Sequence, residues 1–166
     1  MMNAGYYLDL FQKVLDGIDQ KPFAQNQLEL KVGVWMNSVA LKIQKKGWLN
    51  QSPSAKPFGE SIFFSVWIND ETIGQGKLYY NIHALKLHEL SAYKIKSRDF
   101  ADAFRLRFKP FEQHWPNVSA NFGPLTLMEG WLQLDDHTLG NNIASLAQKF
   151  LVIAPIIDTL LTERKK

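Results

Sequence analysis

Ser61-Ile62-Phe63-Phe64-Ser65-Val66-Trp67-Ile68-Asn69, a polar turn holding Gly74 and Gly76, then Lys77-Leu78-Tyr79-Tyr80-Asn81-Ile82-His83-Ala84-Leu85-Lys86-Leu87: this stretch decides the fold. Two runs rich in β-branched and aromatic residues, separated by turn formers, predict a β-hairpin. The first run, Ile62 to Ile68, is apolar apart from Ser65. A strand with so little polar side belongs at the centre of a sheet covered on both faces. In the second, Leu78, Tyr80, Ile82 and Ala84 share one face, and Lys77, Tyr79, Asn81 and His83 the other. The phase slips near Leu85, which predicts a bulge or the strand end.

Upstream, Leu28, Leu30, Val32, Val34 and Met36 alternate with Glu29, Lys31, Gly33 and Trp35, and after Asn37-Ser38 the apolar phase moves to Val39, Leu41 and Ile43. A two-residue turn at Asn37-Ser38 pairs Met36 with Val39, Val34 with Leu41 and Val32 with Ile43, as the phase change of a tight hairpin requires. Val34-Trp35-Met36-Asn37 echoes Val66-Trp67-Ile68-Asn69; two strands obeying the same β preferences account for it. Between the hairpins, Lys45 to Gly59, with Pro53 and Pro57, reads as an exposed loop.

Helices flank these strands. Tyr7, Leu8, Phe11, Val14, Leu15 and Ile18 recur at helical spacing, and Lys21-Pro22 ends that helix. Phe100, Phe104, Phe108, Phe111 and Trp115 form an aromatic stripe on a second helix, capped by Ser97 and kinked or split at Pro110. A fifth strand spans Leu125 to Leu134. Asp135-Asp136-His137-Thr138 then leads, as a turn and helix cap, into a last helix bent at Pro155. The order α-ββ-ββ-α-β-α predicts an α+β domain over residues 1–166, with helices packed on a single antiparallel sheet of about five strands.

Composition narrows the function. The chain has 166 residues, enough for one self-sufficient core, and no cysteine, which removes disulfides, thiolate metal sites and cysteine nucleophiles. The Phe150–Ile157 apolar run is too short to cross a bilayer, and no secretory signal is visible, so we expect a cytoplasmic protein without membrane contact. The phosphate-binding glycine motifs and the nucleophile elbow are missing. His83 and His88 stand five apart, a spacing that suits a metal pair on neither helix nor strand. We therefore expect no catalytic residues, no metal and no cofactor.

The formal net charge is +3, and six basic residues between Lys94 and Lys109 face only Asp99 and Asp102, so this segment holds the whole basic excess. Lys94, Lys96, Arg98 and Arg105 around a helix N-terminus are candidates for binding an anion or nucleic acid, with Tyr79, His83 and Tyr93 available to stack on bases. A solvated helix face beside an aromatic core stripe explains the same residues. Trp35, on the polar face of its strand, and Trp48, in a loop, are candidates with Tyr79 and His83 for a partner surface.

One enzymatic alternative has a literal motif. The restriction-endonuclease-like core, of order α-β-β-β-α-β, can be threaded onto this chain. Glu29-Leu30-Lys31, with Asp19 upstream, resembles the carboxylate and Glu-x-Lys set with which such sites hold Mg²⁺. Strand alternation places Glu29 and Lys31 on a polar face without any need for catalysis. The reading adopted is a non-catalytic binding or interaction domain, with a protein partner or a second copy as occupant. The alternatives are a nucleic-acid-binding module over residues 94–109 and a metal-dependent, nuclease-like hydrolase.

Overall fold

The computed structural model describes residues 2–49 and 61–166. The loop prolines Pro53 and Pro57, and Gly59, lie outside the described residues. In chain order the elements are α1 (Ala4–Gly17), α2 (Lys21–Gln25), β1 (Leu28–Trp35), β2 (Ser38–Lys45), β3 (Ile62–Ile68), α3 (Asp70–Gly74), β4 (Lys77–Ala84), α4 (Ser97–Phe108), β5 (Thr126–Gln133) and α5 (Leu139–Glu163). The five strands form one open antiparallel sheet in sequence order, with β3 at its centre, and the helices make this an α+β fold as the sequence predicted.

Pleating sorts every strand onto two faces. Val39, Leu41 and Ile43 of β2, Phe64 and Val66 of β3, and Tyr80 and Ile82 of β4 lie side by side on one face, all buried. Helices α1, α4 and α5 gather there. Phe64 stacks on Phe150 of α5 with ring centroids 4.7 Å apart, and Trp115 meets Phe64 edge-on at 5.8 Å. α5 runs unbroken through Pro155 for 25 residues, longer than its apolar run suggested. By length and composition alone it could cross a bilayer. Here Ile143, Phe150, Ile153 and Ile157 are buried against the rest of the fold, as in the core helix of a soluble domain.

Three local readings change. The first hairpin turns at Met36-Asn37, both at positive φ (+49° and +66°), so the pairs are Trp35 with Ser38, Val34 with Val39 and Val32 with Leu41. A two-residue hairpin loop of the twist-compatible type needs positive φ at both central positions. Asn37 tolerates this, and moving the turn back by one leaves Ser38 extended within β2. Both registers keep the same residues on the same faces, which is why alternation could not separate them. Second, Lys21-Pro22 opens a short helix rather than only closing the first, since proline lacks just the N–H that a first helical turn leaves unpaired. Third, the polar turn after β3 is the helix α3. Asn69 caps it by accepting from the Thr72 backbone N–H, while the Thr72 hydroxyl accepts from the Asn69 N–H, both at 2.9 Å.

Gly130 shows how tightly the strands β4 and β5 are matched. It pairs with Tyr80, whose ring crosses it to donate its hydroxyl to the Pro116 carbonyl at 2.7 Å. Burial pushes that hydroxyl's pKa up, so it stays a donor at any ordinary pH. A Cβ at position 130 would run into the Tyr80 ring and hydroxyl and come within 2.9 Å of the Pro116 oxygen. Gly130→Ala should therefore cost about 3 kcal/mol in urea unfolding, the upper part of the usual range for overpacking; a loss below about 1 kcal/mol would mean that the crossing ring has room to move.

Candidate functional site

The second face of the sheet carries the residues that alternation turns away from the helices. Its middle row runs Lys31, Lys42, Ser65, Asn81 and Glu129, one residue from each strand in register. The next row runs Gly33, Ala40, Trp67, Tyr79 and Trp131. Trp35 adds a large ring at the end of β1, and Phe63 and His83 pair on the far side of the polar row. Of these, Trp35, Ala40, Lys42, Phe63, Ser65, Trp67, Asn81, His83 and Glu129 line a groove of about 310 Å³, at the lower end of the size range for small-ligand sites.

The polar row is wired together. The Ser65 hydroxyl donates to Asn81 Oδ1 at 2.8 Å, and Asn81 Nδ2 donates to Glu129 Oε1 at 3.2 Å. Ser65 and Asn81 are 5% and 3% exposed, while Glu129 is half-buried. The Lys42 ammonium lies 4.4 Å from the Trp35 ring centre and 4.2 Å from that of Phe63. Ring faces carry negative charge density and hold a cation there. The Trp35 indole lies back over Gly33, where an added Cβ would stand 3.0 Å from the ring. Glycine at that place gives the indole its seat. Trp67 stacks on Tyr79 with centroids 5.2 Å apart and planes 25° apart. Its indole N–H is buried without an acceptor among the described residues.

His83 occupies the end of the groove. A bulge between Ile82 and His83 shifts the β4–β5 register, so that His83 faces Thr126, with Nδ1 and the Thr126 hydroxyl 3.4 Å apart. The slip predicted near Leu85 thus has both of its expected sources close by, this bulge and the end of β4 at Ala84. Burial holds the imidazole below the usual histidine range, and the charge of Lys42 pushes the same way; a hydrogen bond with the Leu125 backbone opposes them.

The sequence-predicted residues divide between this groove and other places. Trp35 and His83 line it, and Tyr79 braces Trp67 beside it. Trp48 does not reach any surface: it is buried, meets Phe150 edge-on at 5.9 Å, and donates its indole N–H to Asp158 at 2.9 Å. None of the basic segment lines the groove. Lys94, Lys96 and Arg98 are exposed around the start of α4. Arg105 instead turns its guanidinium onto the carbonyls of Phe122, Gly123, Thr126 and Leu127 at 2.9–3.2 Å. Tyr93 forms an isolated bridge with Lys165. Glu29 and Lys31 are exposed on the outermost strand, and Asp19 accepts from the Lys21 N–H at 3.0 Å, closing the turn before α2. Among the described residues no three metal-capable side chains form a cluster.

Sequence reasoning missed Ser65, Asn81, Glu129 and Trp67 as a group. The signal for the first was available: Ser65 is the single polar residue in an otherwise apolar central strand. The chain matches no family model, no curated protein and no solved structure, so geometry alone carries the functional reading.

His83 gives this face a pH signature. An unfolded histidine titrates near 6.5 and the folded one lower. Between those values the unfolded chain holds the extra proton, so stability is flat above about pH 6.5 and falls as pH drops through the folded value. Urea midpoints of wild type and His83→Gln, compared from near neutrality to about pH 5, should diverge on the acid side, with wild type losing more. Parallel curves would show that His83 protonates freely in the fold.

Proposed function

We propose that the protein is a non-catalytic binding domain whose small polar ligand seats in the groove on the second face of the sheet. The observation that carries this reading is the Ser65–Asn81–Glu129 row. Two of its members are buried in the middle of a sheet, where Val or Leu would pack without any desolvation penalty. Sequences break such local rules mainly at functional positions. The row keeps its orientation by internal hydrogen bonds, and aromatic rings stand on both sides of it, as in pockets that fix a ligand with a few placed polar groups.

Chemistry argues for binding over catalysis. Ser65 gives its proton to an amide oxygen, which cannot take it away, so the hydroxyl is not activated as a nucleophile. His83, the natural base, contacts Thr126 instead. Among the described residues the groove holds one cation, Lys42, and one anion, Glu129, a balance unlike the surplus of positive charge that phosphate recognition uses. We place the domain in the cytoplasm, where a chain of this size without cysteine needs no disulfide support.

The test replaces the polar pair by apolar residues of similar shape. Ser65→Val/Asn81→Leu should keep the fold at a cost of no more than about 2 kcal/mol, because both partners of the Ser65–Asn81 hydrogen bond go together and only the half-buried Glu129 loses a donor. In a thermal-shift screen of a chemically diverse fragment library, compounds that stabilise wild type should no longer stabilise the double variant. Hits that act equally on both proteins, or a library with no hits, would refute the groove as a binding site.

A further inference from the structure

The arrangement of unused hydrogen-bonding atoms along the groove narrows the ligand class, given the groove reading above. Three features bear on it. The first is charge: among the described residues of the lining, one cation, Lys42, stands against one anion, Glu129, a setting that suits a ligand without net charge. The second is the inventory. Asn81 keeps one amide N–H beyond its bond to Glu129. Glu129 keeps a second carboxylate oxygen, and Ser65, having donated its proton, keeps its lone pairs. Donors and acceptors therefore alternate, which suits groups that both give and accept a hydrogen bond. Hydroxyls do this within a single group, whereas an ionised phosphate only accepts.

The third feature is spacing. Ser65, Asn81 and Glu129 sit on three adjacent strands, about 4.8 Å apart in the pairing direction. Hydroxyls on alternate carbons around the rim of a six-membered sugar ring are separated by a similar distance. Beside the row, Trp67 is held upright by Tyr79, and a ring of this kind packs against the apolar C–H face of a pyranose. We propose that the groove recognises a neutral pyranose, its hydroxyl rim on Ser65, Asn81 and Glu129 and its C–H face on Trp67. The same chemistry belongs to a free monosaccharide and to the terminal residue of a glycan.

Nuclear magnetic resonance on ¹⁵N-labelled protein tests this. The Trp67 indole N–H resonance is assigned by its loss in Trp67→Phe, and the labelled protein is titrated with methyl glucoside, galactoside, mannoside and N-acetylglucosaminide. The four nucleosides are titrated in parallel. At least one glycoside should shift the Trp67 indole signal saturably, and Glu129→Gln should weaken that glycoside about tenfold or more, the loss of one charge-assisted hydrogen bond. Lys94→Glu/Arg98→Glu, away from the groove, should leave its affinity unchanged. An oligosaccharide ending in the same residue that binds much more tightly than the methyl glycoside marks a glycan; equal affinity marks the free sugar. A shift from a nucleoside and none from the glycosides overturns the sugar while leaving the groove intact. Silence from every glycoside and nucleoside overturns the sugar as well, and the fragment screen on Ser65→Val/Asn81→Leu then decides separately whether the groove binds anything.

Discussion

The stack of Phe64 on Phe150 joins the central strand to the longest helix, and the rest of the architecture depends on it. Phe64 also touches Tyr80 and Trp115, and Phe150 also meets Trp48. One aromatic knot thus ties β3, β4, α5 and the turns after β2 and α4. Rings of this size bury large apolar areas and favour offset or edge-on contacts, both of which occur here. Because the knot lies wholly on one side of the sheet, α1, α4 and α5 are drawn to that side. The opposite side is left to residues that need not serve the core.

That asymmetry explains how much could be read in advance. The two hairpins, the central place of Ile62–Ile68 and the positions of the three long helices follow from period-two and period-3.6 patterns, which respond to burial against a core. Alternation also sorted the faces correctly on both hairpins. It could not place the first turn, because sliding the turn by one residue preserves every face; that choice rests on which residues accept positive φ. The short helix α3 left a legible trace in Asn69-Asp70-Glu71-Thr72, a capping pattern that the nearby glycines overshadowed.

The site was harder to see, for a physical reason. Its polar row comes from four strands spread between Lys42 and Glu129, and only register brings them together. Trp35 stood out because a large ring on a polar face breaks the pattern of its strand, and His83 because an imidazole can stack or bind. Asn81 and Glu129 do not, since a polar residue on the outer face of a strand is ordinary. Trp48 misled for the converse reason: a loop position suggests exposure, yet the indole is pinned inside by Asp158, which also takes the Lys45 ammonium at 2.7 Å. Local charge density misled in the same way at Arg105, whose guanidinium serves the chain's own carbonyls.

Arg105 has a further consequence at the margin of the sheet. Its clamp takes up the carbonyls of Thr126 and Leu127 along β5, and the Ser119–Glu129 bridge closes the next stretch of that margin. At the other margin, β1 displays Glu29 and Lys31, the charges that resemble a nuclease motif. Charged side chains on an outer strand discourage another chain from adding to it. An open sheet is thereby guarded at both ends, by a cation folded inward on one side and by charges turned outward on the other. The molecule can carry a broad, half-hydrophobic surface while resisting growth into fibrils.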